Sequence, residues 1–204
     1  MAGLLAILIF AMRVEQANAA LLFFDDFSGP ILDPGWVVAG SGSATIGTFN
    51  PLDPSPAPSG DPNLILKAPG LLGWSSITRT INTSGYKDIE ISGWFEHVVS
   101  DRNLLDRLLF RWRKPTDPWH VENLSSATQW SFGSQDLLGV EDSSLEINFF
   151  VLNGFLTLRP DYGLFDDIKV EGQPIVPEPA TMTLFGSGIL GLFGLFKKRK
   201  FFSS

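Results

Sequence analysis

The chain has 204 residues, 44% of them hydrophobic and 18% charged, with a formal net charge of −7. Apart from apolar segments at the two ends, residues 20–176 carry 10 Lys and Arg against 20 Asp and Glu, a net charge of −10 over 157 positions. That is one domain's length, and its acidity argues against nucleic-acid binding. The absence of cysteine excludes disulfides, thiolate metal sites and cysteine nucleophiles, and two histidines, His97 and His120, are too few for a multi-histidine metal site within one chain.

At the N-terminus GLLAILIFAM, residues 3–12, is an apolar run too short to cross a bilayer as a helix. Ala17-Asn18-Ala19 follows with the small-x-small pattern that signal peptidase reads, so residues 1–19 are expected to be a signal peptide cleaved after Ala19. One feature departs from that pattern: no Lys or Arg precedes the run, and Arg13 and Glu15 lie after it.

The body, residues 20–172, shows period-two alternation broken by Gly, Pro, Asn and Asp, and no long amphipathic helix. Short strands are expected over 21–27, 35–39, 44–49, 63–68 and 75–82, with a Pro-rich surface loop over 50–62. Ile89, Ile91 and Phe95 then alternate with Asp88, Glu90, Ser92 and Glu96. Leu104, Leu105, Leu108 and Leu109 fit a helical face, but the alternation in Phe110-Arg111-Trp112-Arg113 favours a loop followed by a strand over 107–113, with Lys114–Pro118 as a turn. Further strands are expected over 127–132, over 144–151 (Leu145, Ile147, Phe149 and Val151 on one face) and over 167–171. Half-buried strands at short spacing predict an all-β fold, an antiparallel two-sheet sandwich of jelly-roll type.

Candidate site residues are few. The acidic pairs Asp25-Asp26 and Asp166-Asp167 lie near the first and last strands, which are often neighbours in such sandwiches. Either Asp26 and Asp167 share a structural Ca²⁺ as oxygen ligands, or these carboxylates point to water and cap turns. No other cofactor is expected. Of six tryptophans, Trp94 and Trp119 lie on the polar phase of a strand or beside a turn, where a ring can stack on a sugar; the others follow core patterns. Arg107, Arg111, Arg113 and Lys114 form a basic patch that reads as a solvated face rather than an anion site. Catalytic residues are absent from the reading: there is no Gly-x-Ser-x-Gly elbow, phosphate loop or His-Glu-x-x-His site. Glu90 and Glu96 share a strand face about 20 Å apart, beyond the roughly 5–9.5 Å of a glycosidase pair.

The C-terminus opens with Pro177-Glu178-Pro179 in a linker over 173–180. An uncharged segment, TMTLFGSGILGLFGLF, occupies 181–196, and a basic tail beginning Lys197-Lys198-Arg199-Lys200 occupies 197–204. The apolar segment is expected to be a single transmembrane helix with the basic tail in the cytoplasm and the body outside. The two prolines keep the tripeptide extended and accessible beside the bilayer.

In order and spacing, residues 176–200 resemble the PEP-CTERM sorting signal of Gram-negative bacteria. That resemblance implies recognition by an exosortase, with Pro177, Glu178 and Pro179 as the signature, and export with transient inner-membrane anchoring before delivery to the cell surface or matrix. In the body, LLFFDDFSG, RTINTSGYKDIEISGWFEH, DRLLFRWRKPTDPWHVENL and FDDIKVEG resemble exported bacterial jelly-roll modules of the concanavalin-like or carbohydrate-binding-like kind. Together these readings imply a non-enzymatic module that binds polysaccharide or other matrix components; the alternative is a polysaccharide hydrolase or lyase on a concanavalin-like fold.

Overall fold

The structure, a computed structural model, describes residues 18–48, 58, 62–99, 105–141, 143–154 and 158–175. The chain divides into a body ending at Pro174 and a tail from Ile175. Nearly all of the expected signal peptide, most of the 50–62 loop, the Pro-Glu-Pro motif and the 181–196 helix lie outside the described residues. Among the described residues no helix is long and apolar enough to cross a membrane.

The body is all-β. Its strands are β1 (Ala20–Asp25), β2 (Val37–Gly40), β3 (Ser43–Gly47), β4 (Asn63–Ala68), β5 (Trp74–Asn82), β6 (Tyr86–Val98), β7 (Arg107–Arg113), β8 (His120–Asn123), β9 (Ser131–Asp136), β10 (Ser144–Leu152) and β11 (Asp161–Pro174). They form two antiparallel sheets, one ordered β3-β4-β11-β6-β9 with β1 also on β11, the other ordered β2-β5-β10-β7-β8. β1 begins at Ala20, the residue after the expected cleavage point.

Each sheet is built around one strand. In the five-stranded sheet this is β10, whose alternation buries Leu145, Ile147, Phe149 and Val151 while Glu146 and Phe150 sit on the half-buried phase. It pairs with β5 from Ser144↔Asn82 to Leu152↔Trp74, and with β7 from Glu146↔Arg113 to Leu152↔Arg107. In the other sheet the central strand is β11. One of its edges pairs with β6 along most of its length, while the other is divided between β4, opposite Asp161–Phe165, and β1, opposite Ile168–Gly172.

The hand-over from β4 to β1 falls at a bulge. The register with β6 jumps between Asp166 and Lys169, Asp167 adopts φ 50°, and the Asp167 N–H donates to the Asp166 side chain at 2.9 Å. An extra residue here re-aims the strand and breaks its alternation. That is why only 167–171 reads as strand in the sequence, whereas β11 begins at Asp161. The sequence also places a strand at 127–132 that forms at Ser131–Asp136 instead, and it misses β8, a four-residue edge strand with no buried position.

Between the sheets Phe149 is the aromatic hub. Its ring lies 4.4 Å from that of Phe165 on the opposite sheet, 5.5 Å from Phe110 and 6.0 Å from Trp36. Trp36 in turn donates its indole N–H to the Asp25 carboxylate at 2.7 Å, tying the end of β1 to the approach to β2. Of the four tryptophans with core patterns, Trp36 and Trp112 are buried and Trp130 packs against the core, whereas Trp74 is exposed. Phe149→Ala should cost about 3–5 kcal/mol through lost transfer energy and a cavity shared by both sheets, read as a lowered urea midpoint with an unchanged m-value.

Candidate functional site

The outward face of the five-stranded sheet carries a row of aromatic and polar groups. Positions directly opposite in an antiparallel sheet share a face, so the β10 register lines up Glu146 with Thr80 and Arg113, Asn148 with Thr78 and Arg111, and Phe150 with Ser76 and Leu109. From Glu146 to Phe150 the row runs about 14 Å, at ~3.4 Å per residue.

Polar contacts fix the middle of the row. Asn148, itself buried, donates to the Ile77 carbonyl at 3.0 Å and to Thr78 Oγ1 at 2.8 Å, and accepts the Arg111 Nε–H at 2.8 Å. Arg113 Nε donates to Glu146 at 2.7 Å. Aromatic rings close both ends. Trp74 stacks on Phe150 with centroids 5.6 Å apart, and the Arg111 guanidinium lies 4.5 Å from the Phe150 ring. At the other end the Trp119 ring lies 4.3 Å from the Arg113 guanidinium and 5.4 Å from that of Arg111. Trp119 is positioned by the turn between β7 and β8, where the Asp117 N–H donates to the Lys114 carbonyl at 3.0 Å.

Beside Trp119 the row opens into a pocket of about 420 Å³, lined by Val37, Thr78, Thr80, Arg113, Trp119 and Glu146 together with Gly35 and Arg79. A half-exposed indole, threonine hydroxyls and an ion pair offer an apolar face for ligand C–H groups with hydrogen-bonding partners around it. Among the described residues Glu146 is the one carboxylate lining this pocket, and Arg113 already holds it. A smaller cavity of about 200 Å³ lies between the sheets and is walled by core rings, among them Phe95, Phe110, Phe149 and Phe165.

Trp94 lies on the outward face of the other sheet, opposite Asp166 on β11 and Phe132 on β9. Its ring meets that of Phe132 edge-on at 5.4 Å, and Phe132 is 58% exposed. The two tryptophans singled out from the sequence therefore sit on opposite faces and cannot share a ligand site. Trp74, Phe150 and Asn148 were not foreseen as site residues. For Phe150 the signal was present: it follows Phe149, so one of two consecutive phenylalanines had to leave the core.

The first and last strands are neighbours as expected, with Asp25 opposite Ile168. Their carboxylates are engaged by local donors: Asp25 accepts the Phe27 N–H at 2.9 Å as well as the Trp36 indole, and Asp26 accepts the Ser28 N–H at 3.0 Å. That last bond is the main reason the Asp26 carboxyl is held below its ordinary range. No group of three or more His, Asp or Glu side chains able to hold a metal ion forms among the described residues.

Residues 176–200 match the PEP-CTERM protein-sorting motif. The chain carries a PEP-CTERM sorting motif behind a β-sandwich body that resembles carbohydrate-binding modules. The motif marks an exported protein processed by an exosortase. No curated relative matches the sequence. Among solved structures, a carbohydrate-binding module in complex with β-1,4-galactotriose is 14% identical with a TM-score of 0.53, over 71% of this chain and 92% of that one. A structure of carbohydrate-binding modules from the β-sandwich superfamily is 12% identical with a TM-score of 0.50, over 77% and 63%. A cyclase from Fischerella sp. TAU is 11% identical with a TM-score of 0.54, over 78% and 100%. At such identities the likeness shows the fold, which is common to binding modules and enzymes alike.

His97 is buried on β6, its Nδ1 3.3 Å from the Ser125 carbonyl, and burial lowers its pKa below 6.5. The unfolded chain therefore binds a proton on this ring that the folded chain resists. Stability should decline as pH falls below about 6.5, before the carboxylates titrate, and a urea-midpoint series on His97→Gln should lack that decline.

Proposed function

We propose that this is an exported, non-enzymatic surface or matrix protein that binds polysaccharide through the outward face of its five-stranded sheet, the PEP-CTERM tail serving for delivery. The observation that carries the reading is the row Trp119–Arg111/Asn148–Phe150/Trp74, in which half-exposed rings alternate with hydrogen-bonding groups locked by their neighbours. Groups held in place before binding lose little freedom when a sugar chain arrives. Signal peptidase cuts after Ala19, the 181–196 helix holds the chain transiently in the inner membrane, and exosortase acts near Pro177–Pro179. The neighbouring structures support the reading at the level of fold. A canonical glycoside hydrolase needs two carboxylates flanking one bond, and among the described residues Glu146, already ion-paired, is the one carboxylate lining the pocket at this face.

Two measurements test this. In affinity electrophoresis of the full-length chain in mild detergent, at least one polysaccharide of a panel including β-1,4-galactan, xylan and polygalacturonate should retard migration. Trp119→Ala should weaken that retention about tenfold or more, as loss of a large aromatic anchor does, while Trp94→Ala leaves it unchanged. Indifference to Trp119→Ala would remove this face as the site. For delivery, the protein recovered from its host should lack residues 1–19 and the tail beyond the Pro177–Pro179 region, and a host without exosortase should retain the tail. An intact C-terminus in both hosts overturns the sorting half.

A further inference from the structure

Within the basic patch that reads as a solvated face in the sequence, Arg111 is half-buried and differs from its neighbours. The other half-buried arginines of the body whose ion pairs are defined have carboxylate partners: Arg79 lies 2.6 Å from Asp33 and Arg113 lies 2.7 Å from Glu146. Arg111 does not. Among the described residues its guanidinium meets a neutral amide oxygen on Asn148 and the faces of Phe150 and Trp119, but no carboxylate. Its Nε is committed to Asn148, which fixes the plane of the group, so its two terminal nitrogens remain for a ligand.

Such a cation is costly to keep. Partial burial, together with the neighbouring Arg113 guanidinium, lowers its hold on its proton from the ordinary arginine value. The body around it has twice as many acidic as basic residues, yet the carboxylate on this part of the face, Glu146, is paired with Arg113 instead. A planar guanidinium with two parallel N–H groups, flanked by an indole, matches the carboxylate of a sugar acid whose ring lies against that indole.

We propose that the platform selects acidic polysaccharide, Arg111 receiving the carboxylate of a uronic acid residue whose ring packs on Trp119. This rests on the polysaccharide-binding reading above and names its ligand class. Contact at Arg111 is short-ranged, so it persists at an ionic strength of 0.15 M, where the repulsion between the acidic body and an acidic polymer is screened within about 8 Å.

The test compares retention by polygalacturonate, β-1,4-galactan and dextran sulfate at 0.15 M salt, for the full-length chain and for Arg111→Gln, Arg111→Lys and Trp119→Ala, each first checked for an unchanged thermal unfolding midpoint. Polygalacturonate should bind about tenfold or more tightly than galactan, at the level of one charge-assisted carboxylate contact. Arg111→Gln should abolish the difference, and Arg111→Lys should restore it only in part, since an ammonium cannot present two parallel donors. Equal binding of galactan and polygalacturonate, lowered by Trp119→Ala but not by Arg111→Gln, overturns the acid selectivity and leaves the polysaccharide reading standing. Dextran sulfate binding as well as polygalacturonate overturns the carboxylate assignment. Failure of all three polymers to bind while another polysaccharide of the panel still does overturns the acid selectivity alone; failure of the whole panel overturns both readings.

Discussion

Phe149 and Phe150 are adjacent in the chain and point to opposite sides of β10. The first fills the space between the sheets, against Trp36, Phe110 and Phe165, and the second stands outside between Trp74 and Arg111. Strand geometry leaves no other choice: with a side-chain period of two, whatever register buries Phe149 must present Phe150 outward. The core thus sets the register of the outward face. Because β5 and β7 pair with β10 over seven or more residues, their outward groups, Thr78, Thr80, Arg111 and Arg113, are brought into line by the same constraint.

The face is rigid for a related reason. Asn148 is buried and spends its amide on the Ile77 carbonyl and Thr78, leaving its oxygen for Arg111. A buried side-chain amide with its hydrogen bonds made is expensive to move, since any displacement strands a polar atom away from water. Arg111 therefore inherits its orientation from the sheet rather than from a loop. Trp119 is different. It is held by the β7–β8 turn and by guanidinium–ring contacts, each worth roughly 0.5–2 kcal/mol, so it is the part of the face with room to adjust to a ligand.

Much of this was legible. β4 and β7 lie where the sequence puts them, and the neighbouring first and last strands follow from the sandwich itself. Trp119 stood out because a tryptophan beside a Lys-Pro-Thr-Asp-Pro turn has little core to enter. What escaped has physical causes. β8 is short and unburied, so alternation left no mark on it. The bulge at Asp166–Ile168 disguised half of β11. The character of Arg111 was invisible because its neighbours Phe150 and Asn148 come from a strand 37 residues away in the chain, and no local pattern tells a paired arginine from one that meets only an amide and two rings.

An open face of this kind does not need tight single-site binding. It offers a few hydrogen-bonding groups and two aromatic ends over about 14 Å, an area too small and too solvent-exposed for the affinities that deep pockets reach. A polysaccharide, however, presents the same unit many times along one chain. Were one copy of the protein to release a unit of such a ligand, the next unit of the same polymer would be close at hand, and several copies held on one surface would engage it together, so that weak contacts combine into firm attachment without any new interaction. On the proposed function, delivery by the sorting tail would supply those copies at high local density. On that reading the modest chemistry of the sheet face and the address at the C-terminus explain one another.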